Sequence, residues 1–378
     1  MTFTVTPLFG SEFQESASRF AKNADTGTSG LLSADQKRRL RDQTWMETIE
    51  LGWSACLIPE TDGGLGGSLL DFCALLEGTA THALPLPLSS GMGLPVILLE
   101  RLNFKDKSSL LSSMADGSIR LQLIYQSLDP FLKQMSHEMT LNISETSSGL
   151  VLDGKVAGVE RVPQATHLLL CSSNQEGHPS LWLIPSNEIS PTTSHEIRID
   201  SRDSLSFTFK SQTLKREWCV ASGSEFAEAY ARMFNYGALL SCVEAVSSMG
   251  AALEQTIRYL SERQQFGVTL STFQVLRHYL ADIYAKYDSI RAFVSAFTRK
   301  VSHTGALQSR DISLLKLYLS QVAPKLAHTV IQVHGGMGMT EELWATRLNK
   351  RLLMTNLEFG DGQFHAERAY HTTPKADE

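Results

Sequence analysis

The chain has 378 residues, of which 42% are hydrophobic and 20% are charged, a composition typical of a globular protein with two or three domains. Its net charge of −6 argues against the basic surface of a nucleic-acid-binding protein, so we expect no nucleic acid among its partners. The sequence has neither a signal-peptide pattern nor an uninterrupted apolar run of about 18 residues. We therefore expect no membrane anchor.

The cysteine and histidine patterns predict neither disulfides nor a metal site. The five cysteines are scattered along the chain without a CxxC pair, as expected for free thiols in a reducing compartment. The eleven histidines show no HExxH or other metal-ligand spacing. These patterns favour a cytoplasmic protein.

The period of the apolar residues divides the chain into three segments. Residues 1–117 are predicted to be helical, with a helix from about Leu69 to Thr81 that ends before Pro85. Residues 118–221 show the two-residue period of strands, and Asp153-Gly154 is predicted to form a hairpin turn. The alternating residues are Met139, Leu141, Ile143, Leu205, Phe207 and Phe209, and short apolar runs cover 167–171 and 181–184.

Residues 222–378 return to apolar steps of three and four residues, which predict three long helices. Short loops join these helices, so they are expected to form an antiparallel bundle. Pro324 lies inside the third helix and predicts a kink there, and the tail from about Thr372 is predicted to be disordered. The fold class is therefore α+β.

Two motifs in this helical segment are suited to a dinucleotide cofactor. Arg263 begins Arg-Gln-Gln-Phe-Gly, and an arginine beside a Phe-Gly turn can bind a phosphate with its fork of N–H donors. Gln332 begins Gln-Val-His-Gly-Gly-Met-Gly, whose glycines either let backbone N–H groups approach a cofactor or simply end the helix. His334 in this motif bonds a cofactor phosphate or ribose, or else caps the helix locally.

The order of the segments and these motifs together resemble the acyl-CoA dehydrogenase family over nearly the whole chain. The resemblance rests on Arg263-x-x-Phe266-Gly267, Phe273-Gln274, Gln332…Gly335-Gly336-x-Gly338, Glu50-Leu51-Gly52-Trp53 and Ile58-Pro59-Glu60 before a glycine-dense loop. It implies an N-terminal α-helical domain (1–117), a β-barrel-like middle domain (118–221) and a C-terminal antiparallel four-helix bundle (222–378). It also implies an FAD cofactor and the α,β-dehydrogenation of an acyl-CoA thioester.

The resemblance also assigns roles to the motif residues. Arg263 would contact the FAD diphosphate, Phe266 would pack near the flavin nucleotide, and Gln274 would lie beside the cofactor. The adenosine side would be met by Gln332, Gly335 and Gly336. In the family these groups reach the FAD that a neighbouring subunit binds, so an oligomer is implied.

The catalytic base departs from the family pattern. Removal of the α-proton needs a carboxylate in a pocket that excludes water, and many members carry it as a glutamate after an aromatic residue near the C-terminus. Matching Phe359 to that aromatic residue places Gly360 at the position of the base, while a shifted register offers Glu358 or Asp361. A Phe-Gly-Asp sequence of this type resembles subunits of heteromeric acyl-CoA dehydrogenases that act on steroid-derived CoA esters.

Other family members place the base on the first long helix of the bundle. The equivalent position here is Gly237, which supplies no side chain, but Glu244 lies two turns further along the same face. Carboxylates are seldom buried without a partner or a task. Glu244 is therefore either the base, facing the acyl pocket, or one half of a salt bridge to a Lys or Arg of a neighbouring helix.

The middle segment departs from the family as well. A Trp-Ile-Thr-like triplet that lies beside the flavin ring in many members is absent from the stretch Gly158-Val159-Glu160-Arg161-Val162-Pro163, and the expected Thr/Ser-rich segment is replaced by Tyr125 to Pro130. The diphosphate and adenosine motifs are kept while the flavin-ring motifs are not. This asymmetry suggests that the chain completes a site together with a different subunit.

We therefore expect a FAD-dependent acyl-CoA dehydrogenase that works as one subunit of a heteromer, with a homo-oligomer as the other arrangement. The expected substrate is a bulky or steroid-derived acyl-CoA, and electrons would leave through an electron-transfer flavoprotein. One alternative is a non-catalytic subunit that completes the FAD site of a paralogous chain. A second is a flavin oxidase or monooxygenase on the same scaffold.

Overall fold

The computed structural model describes residues 4–24, 32–125, 141–147, 149–174, 178–340 and 343–372. Ten α-helices and ten strands lie in these ranges, which confirms the α+β class. Three sequence-based predictions lie outside them in whole or in part: the alternation that begins at Met139, the replacement segment at 126–130, and the tail beyond Thr372. The described chain forms two compact units.

The first unit is helical and comprises Met1–Ser33, Ser68–Leu84 and Gly237–Glu378. Its α3 helix begins with a capping box between Ser68 and Asp71, which satisfies backbone N–H groups at the helix start. The predicted helix end near Thr81 is confirmed. The helices of this unit are α1 (Glu12–Asn23), α3 (Leu69–Ala80), α6 (Gly223–Glu262, from Gly237 onward), α7 (Gln274–Thr304), α8 (Ser309–His334), α9 (Trp344–Thr355) and α10 (Gly362–His371).

The long helices of this unit confirm the apolar pattern of the C-terminal segment. Helix α7 ends at Gly305, whose φ of +66° is favourable for glycine. Pro324 lies inside α8 without ending it. A two-stranded hairpin, β9 (Gln264–Gln265) and β10 (Val268–Thr269), joins α6 to α7.

The second unit contains the main sheet and comprises Ala34–Gly67 and Pro85–Tyr236. Its helices are α2 (Ala34–Glu50), α4 (Leu94–Glu100), α5 (Lys107–Ala115) and the beginning of α6. Its strands are β1 (Leu121–Tyr125), β2 (Leu141–Thr146), β3 (Gly149–Glu160), β4 (His167–Asn174), β5 (Pro179–Pro185), β6 (Thr192–Ile197), β7 (Asp203–Leu214) and β8 (Cys219–Ser222). They form one eight-stranded sheet in the order β6-β7-β3-β2-β4-β5-β8, with β1 paired parallel to β4.

The inward side of this sheet matches the predicted alternation. Leu205, Phe207 and Phe209 of β7 are buried in one apolar cluster with Trp182 and Leu152. The apolar runs at 167–171 and 181–184 lie in β4 and β5, which pair antiparallel. The strand content predicted for this segment is therefore confirmed.

The predicted hairpin turn at Asp153-Gly154 is wrong. Both residues lie inside β3, where the pairing with β7 shifts register between Leu152 and Gly154, as at a β-bulge. Gly154 has a φ of +131°, and Asp153 Oδ1 accepts a 2.7 Å hydrogen bond from the backbone N–H of Ser211. The Asp-Gly pair therefore bends a continuous strand, because glycine permits a bulge as readily as a turn.

Helix α6 is the one described helix that is long and apolar enough to cross a membrane. In its most apolar window, 94% of the residues are buried inside the protein. This burial is what a core helix of a folded domain shows.

Candidate functional site

A short hairpin at the end of α6 presents the arginine motif. Phe266 and Gly267 form its turn with φ values of +55° and +79°, and the Phe266 side chain is 90% exposed. The backbone N–H of Arg263 donates to the Tyr259 carbonyl over 2.8 Å. The Arg263 side chain is exposed, and no hydrogen bond or ion pair engages it within the described residues.

The glycine motif at the end of α8 exposes open backbone. Gly335 ends the helix with a φ of +59°, and its N–H donates to the Gln332 carbonyl. A Cβ added to Gly335 or Gly336 would meet nothing within 4 Å, whereas a Cβ at Gly338 would lie 2.7 Å from the Ile331 carbonyl oxygen. Gly338 is therefore required for packing, while the first two glycines leave the backbone accessible to a ligand.

A ring stack holds the two motifs at one end of the helical unit. Tyr259 and His334 stack with their ring centroids 4.5 Å apart; Tyr259 is one helical turn before Arg263, and His334 directly precedes Gly335. His334 Nδ1 donates to the Val330 carbonyl over 2.8 Å, and burial lowers the pKa of His334. Of the two interpretations of His334, these contacts favour the local one.

The geometry fits the diphosphate and adenosine end of a dinucleotide. Arg263 offers an unengaged guanidinium, which is the natural partner of a phosphate. Gln274 is exposed at the first turn of α7, and the preceding Phe273 ring lies edge-on to Phe266 at 6.2 Å. Arg263, Phe266, Gln274, Gln332, Gly335 and Gly336 are thus all accessible. Their contacts with FAD stay predictions.

Two of the three candidate base carboxylates bind the same buried arginine. Glu244 of α6 accepts hydrogen bonds from Arg351 Nε and Nη2 over 3.1 and 2.6 Å. Glu358 accepts hydrogen bonds from Arg351 Nη1 and Nη2, each over 2.8 Å. The side chains of Arg351, Glu244 and Glu358 are 5%, 7% and 18% exposed. The salt-bridge interpretation of Glu244 therefore describes its contacts, since both of its oxygens face a guanidinium.

The third candidate, Asp361, caps a helix. Its Oδ1 accepts the backbone N–H of Phe364 over 2.9 Å at the start of α10, which is the usual role of an aspartate at that position. Glu244, Glu358 and Asp361 thus all have structural partners. A catalytic role for any of them stays a prediction.

A buried lysine and a buried histidine fix the loop that carries these residues. Lys316 Nζ donates to the carbonyls of Thr355 and Glu358 over 2.8 and 2.7 Å, and burial lowers the pKa of Lys316. His365 Nε2 donates to the Phe359 carbonyl over 3.0 Å, and its Nδ1 lies 3.1 Å from Ser313 Oγ. Residues 355–361, which we call the Phe-Gly-Asp loop, are therefore held from several sides.

The two glycines at the family's base positions leave no room for a side chain. A Cβ at Gly360 would overlap the ring of Phe364, and Gly360 has a φ of +98°, which other residues rarely adopt. A Cβ at Gly237 would overlap the ring of Phe359. A carboxylate cannot simply be placed at either position.

The sequence did not single out Arg351, Lys316 or His365. A usable signal was present for Lys316, because a cation stands among the apolar positions of α8, between Ile312 and Leu319. Such a residue at a helical core position predicts a buried polar contact. Nothing in the sequence pattern identified Arg351 as the common partner of two carboxylates that lie 114 residues apart.

In the sheet unit, the residues that replace the Trp-Ile-Thr triplet form ion pairs. Glu160 accepts from Arg202 Nη1 over 2.8 Å and from Ser90 Oγ over 2.6 Å. Arg161 binds Asp42 through two hydrogen bonds of 2.5 and 2.8 Å. These side chains are committed to the protein itself, so neither resembles the aromatic and hydroxyl groups expected beside a flavin ring.

Comparison with known proteins relates the chain to the acyl-CoA dehydrogenases. Residues 227–370 match the model of the acyl-CoA dehydrogenase C-terminal domain. Acyl-CoA dehydrogenase FadE28 of Mycobacterium tuberculosis is 26% identical over 302 residues, covering 79% of this chain and 83% of the relative. The chain is therefore similar to acyl-CoA dehydrogenases over most of its length. Members of this family are FAD-containing oxidoreductases that act on CH–CH bonds.

Two solved structures show the same fold. One is the ChsE4-ChsE5 complex from Mycobacterium tuberculosis, with a TM-score of 0.80 and 18% identity, covering 99% of this chain and 100% of the other. The second is a variant of the Tcur3481-Tcur3483 steroid ACAD, with a TM-score of 0.77 and 21% identity, covering 95% of this chain and 96% of the other. The acyl-CoA dehydrogenase fold inferred from the sequence is therefore confirmed.

Replacing Arg351 is expected to destabilise the protein strongly. Arg351→Met leaves Glu244 and Glu358 close together without a cation, and breaking a buried ion pair in this way costs about 3–5 kcal/mol. Urea unfolding would measure the loss. Arg277→Met, which removes an exposed guanidinium on α7, should change the free energy of unfolding by less than about 0.5 kcal/mol; an equal loss in both variants would contradict the role of Arg351.

His365 is expected to make stability fall with acid. Burial lowers its pKa from 6.5 to about 3, so the unfolded chain binds the additional proton at every pH between these values. The contribution of neutral His365 to the free energy of unfolding is complete above pH 6.5. It falls by about 1.4 kcal/mol per pH unit as the pH drops towards 3. When the pH is lowered from 7.5 to 5, the free energy of unfolding of His365→Asn, measured with urea, should therefore fall by about 2 kcal/mol less than that of wild type. The same dependence of this free energy on pH in both proteins would contradict the assignment.

Proposed function

We propose that this chain is one subunit of a heteromeric, FAD-dependent acyl-CoA dehydrogenase and that the proton-abstracting base comes from the other subunit. The observation that carries the proposal is the engagement of Glu244 and Glu358 by Arg351. Together with the cap formed by Asp361, it leaves none of the three candidate carboxylates without a structural partner. The cofactor motifs, in contrast, are exposed and accessible.

In this proposal the chain supplies the phosphate and adenosine contacts of the cofactor. Arg263 would neutralise the diphosphate, while the open backbone at Gly335 and Gly336 would approach the adenosine. When bound, FAD accepts the hydride from the β-carbon of the thioester. Arg263 and Phe266 are exposed at the end of the helical unit. The FAD that they contact would therefore be one bound by a neighbouring subunit, as the family resemblance implies.

The Phe-Gly-Asp loop would serve as a fixed wall of the site. Lys316 and His365 hold its carbonyls, and Phe359 packs against Gly237. A fixed wall that excludes water favours proton abstraction by a carboxylate on another chain, because exclusion of water raises the pKa of such a group. The substrate would be a bulky, ring-bearing acyl-CoA, as the likeness to a steroid ACAD supports, and an electron-transfer flavoprotein would take the electrons.

The complex with an acyl-CoA dehydrogenase-like paralogue tests the proposal. The chain expressed alone should purify without flavin absorbance and without dehydrogenase activity, whereas co-expression with a paralogue encoded beside it should give both. In the complex, Arg263→Gln should weaken FAD binding at least tenfold, as expected for a lost charge-assisted hydrogen bond. Lys300→Gln, at an exposed position on α7, is the matched control. Yellow, active protein from this chain alone would overturn the heteromer.

Glu244→Gln separates the two possible sources of the base. Arg351 keeps its contact with Glu358, so the variant should fold, and kcat of the complex should change less than about tenfold. Loss of a general base costs about 10²–10⁴ in rate. A loss of kcat above a hundredfold with unchanged KM and Tm would place the base on this chain. A complex that holds FAD but has no activity on any acyl-CoA would instead favour the non-catalytic subunit.

A further inference from the structure

The helical unit contains a large cavity that none of the proposed cofactor residues lines. It has a volume of about 820 Å³, within the range of small-molecule sites. Helices α1, α3, α6, α7 and α9 and the N-terminal segment Val5–Leu8 surround it. Its lining combines cationic, aromatic and apolar side chains.

Arg347 of α9 faces this cavity without a partner. Its guanidinium is half-buried, and its Nε has no hydrogen-bond partner. No hydrogen bond or ion pair to any of its atoms occurs within the described part of the chain. Arg351, one helical turn further on, holds two carboxylates. Desolvation of an unpaired guanidinium is unfavourable, and here burial lowers the pKa of Arg347.

The carboxylates that line the cavity do not neutralise Arg347. Glu77 accepts the backbone N–H groups of Leu8 and Phe9 over 2.6 and 2.8 Å, and Glu254 accepts that of Val5 over 3.1 Å. Both acids therefore fix the N-terminal segment. The remaining charges of the lining, on Arg258 and Lys22, are positive and exposed, and they add to the field of Arg347.

A second unsatisfied donor and an aromatic wall complete the lining. Gln255 Nε2 is buried and has no hydrogen-bond partner among the described residues. The Trp344 ring stacks on His82 with centroids 5.3 Å apart, and His82 is itself bonded to Ser18 Oγ over 3.0 Å. The histidine is thus engaged, which leaves Arg347, Gln255 and the Tyr287 hydroxyl as donors for a ligand.

The rest of the wall is apolar. Val5, Leu8, Ala21, Leu84 and Ala251 line the cavity. An inorganic anion would leave this surface in contact with water, whereas an apolar body would cover it. The complementary ligand therefore has one anionic group and a hydrocarbon part.

The geometry points to a binding site for an amphiphilic organic monoanion, with its acidic group on Arg347 and Gln255 and its apolar part along Val5, Leu8 and Ala251. The site is separate from the proposed cofactor contacts and does not depend on the proposed dehydrogenase function. A carboxylate on an alkyl chain is the simplest molecule of this class.

Binding of octanoate to the purified full chain tests this site by isothermal titration calorimetry at pH 7.5. Wild type should bind one octanoate per chain in a saturable manner and gain thermal stability from it. Arg347→Met should weaken octanoate binding at least tenfold. The same variant should raise Tm of the ligand-free protein, because it removes an unpaired, partly desolvated cation. Arg347→Lys, which keeps a cation, should retain part of the affinity.

Lys300→Met is the matched control, since it removes an exposed cation that does not line the cavity; its octanoate affinity should equal that of wild type. Neutral 1-octanol and inorganic phosphate should each bind at least tenfold more weakly than octanoate. Unchanged affinity in Arg347→Met, or equal binding of 1-octanol or of phosphate, would overturn the assignment. So would the absence of saturable octanoate binding up to millimolar concentration.

Discussion

The Arg351 guanidinium, held between Glu244 and Glu358, is the interaction on which the helical unit depends. A buried guanidinium is costly unless partners compensate its charge, and the two carboxylates that do so here come from α6 and from the Phe-Gly-Asp loop. The ion pairs therefore fix the loop against the first long helix of the bundle. Phe359 lies against Gly237 as a consequence, and the loop follows a left-handed path at Phe359 and Gly360.

Helices α6 and α8 each run from one end of the helical unit to the other. Helix α6 contacts the Phe-Gly-Asp loop through Glu244 and reaches the cofactor motif at Tyr259. Helix α8 contacts that loop through Lys316 and reaches the glycine motif at His334. At a rise of about 1.5 Å per residue these spans are about 22 and 27 Å. The chain thus has the exposed Arg263 and Gly335 motifs at one extreme and, at the other, a loop whose carboxylates have structural partners. That combination is what a subunit needs when another chain completes the site.

The sequence identified the parts of this site that depend on local pattern. Helix periods, strand alternation and the exposed Arg263 and Gly335 motifs follow from the properties of neighbouring residues. The Asp153-Gly154 turn failed because glycine supports a bulge as well as a turn, and only cross-strand pairing decides between them. For Glu244 the sequence pattern indicated either a salt bridge or a role as the catalytic base, but it did not distinguish between them. The partner, Arg351, lies 107 residues away and is chosen by tertiary packing.

Arg347 and Arg351 show that burial alone does not determine whether an arginine forms an ion pair. They occupy successive turns of α9, yet Arg351 contacts two carboxylates and Arg347 contacts none among the described residues. Helix α6 presents Glu244 to Arg351, whereas it lines the cavity that Arg347 faces with Ser247, Ala251, Glu254, Gln255 and Arg258. The two acids that line the cavity, Glu77 and Glu254, are bound to backbone N–H groups of the N-terminal segment. The protein therefore compensates one cation internally and leaves the other to solvent or a ligand, and a cavity lined by apolar side chains favours the ligand.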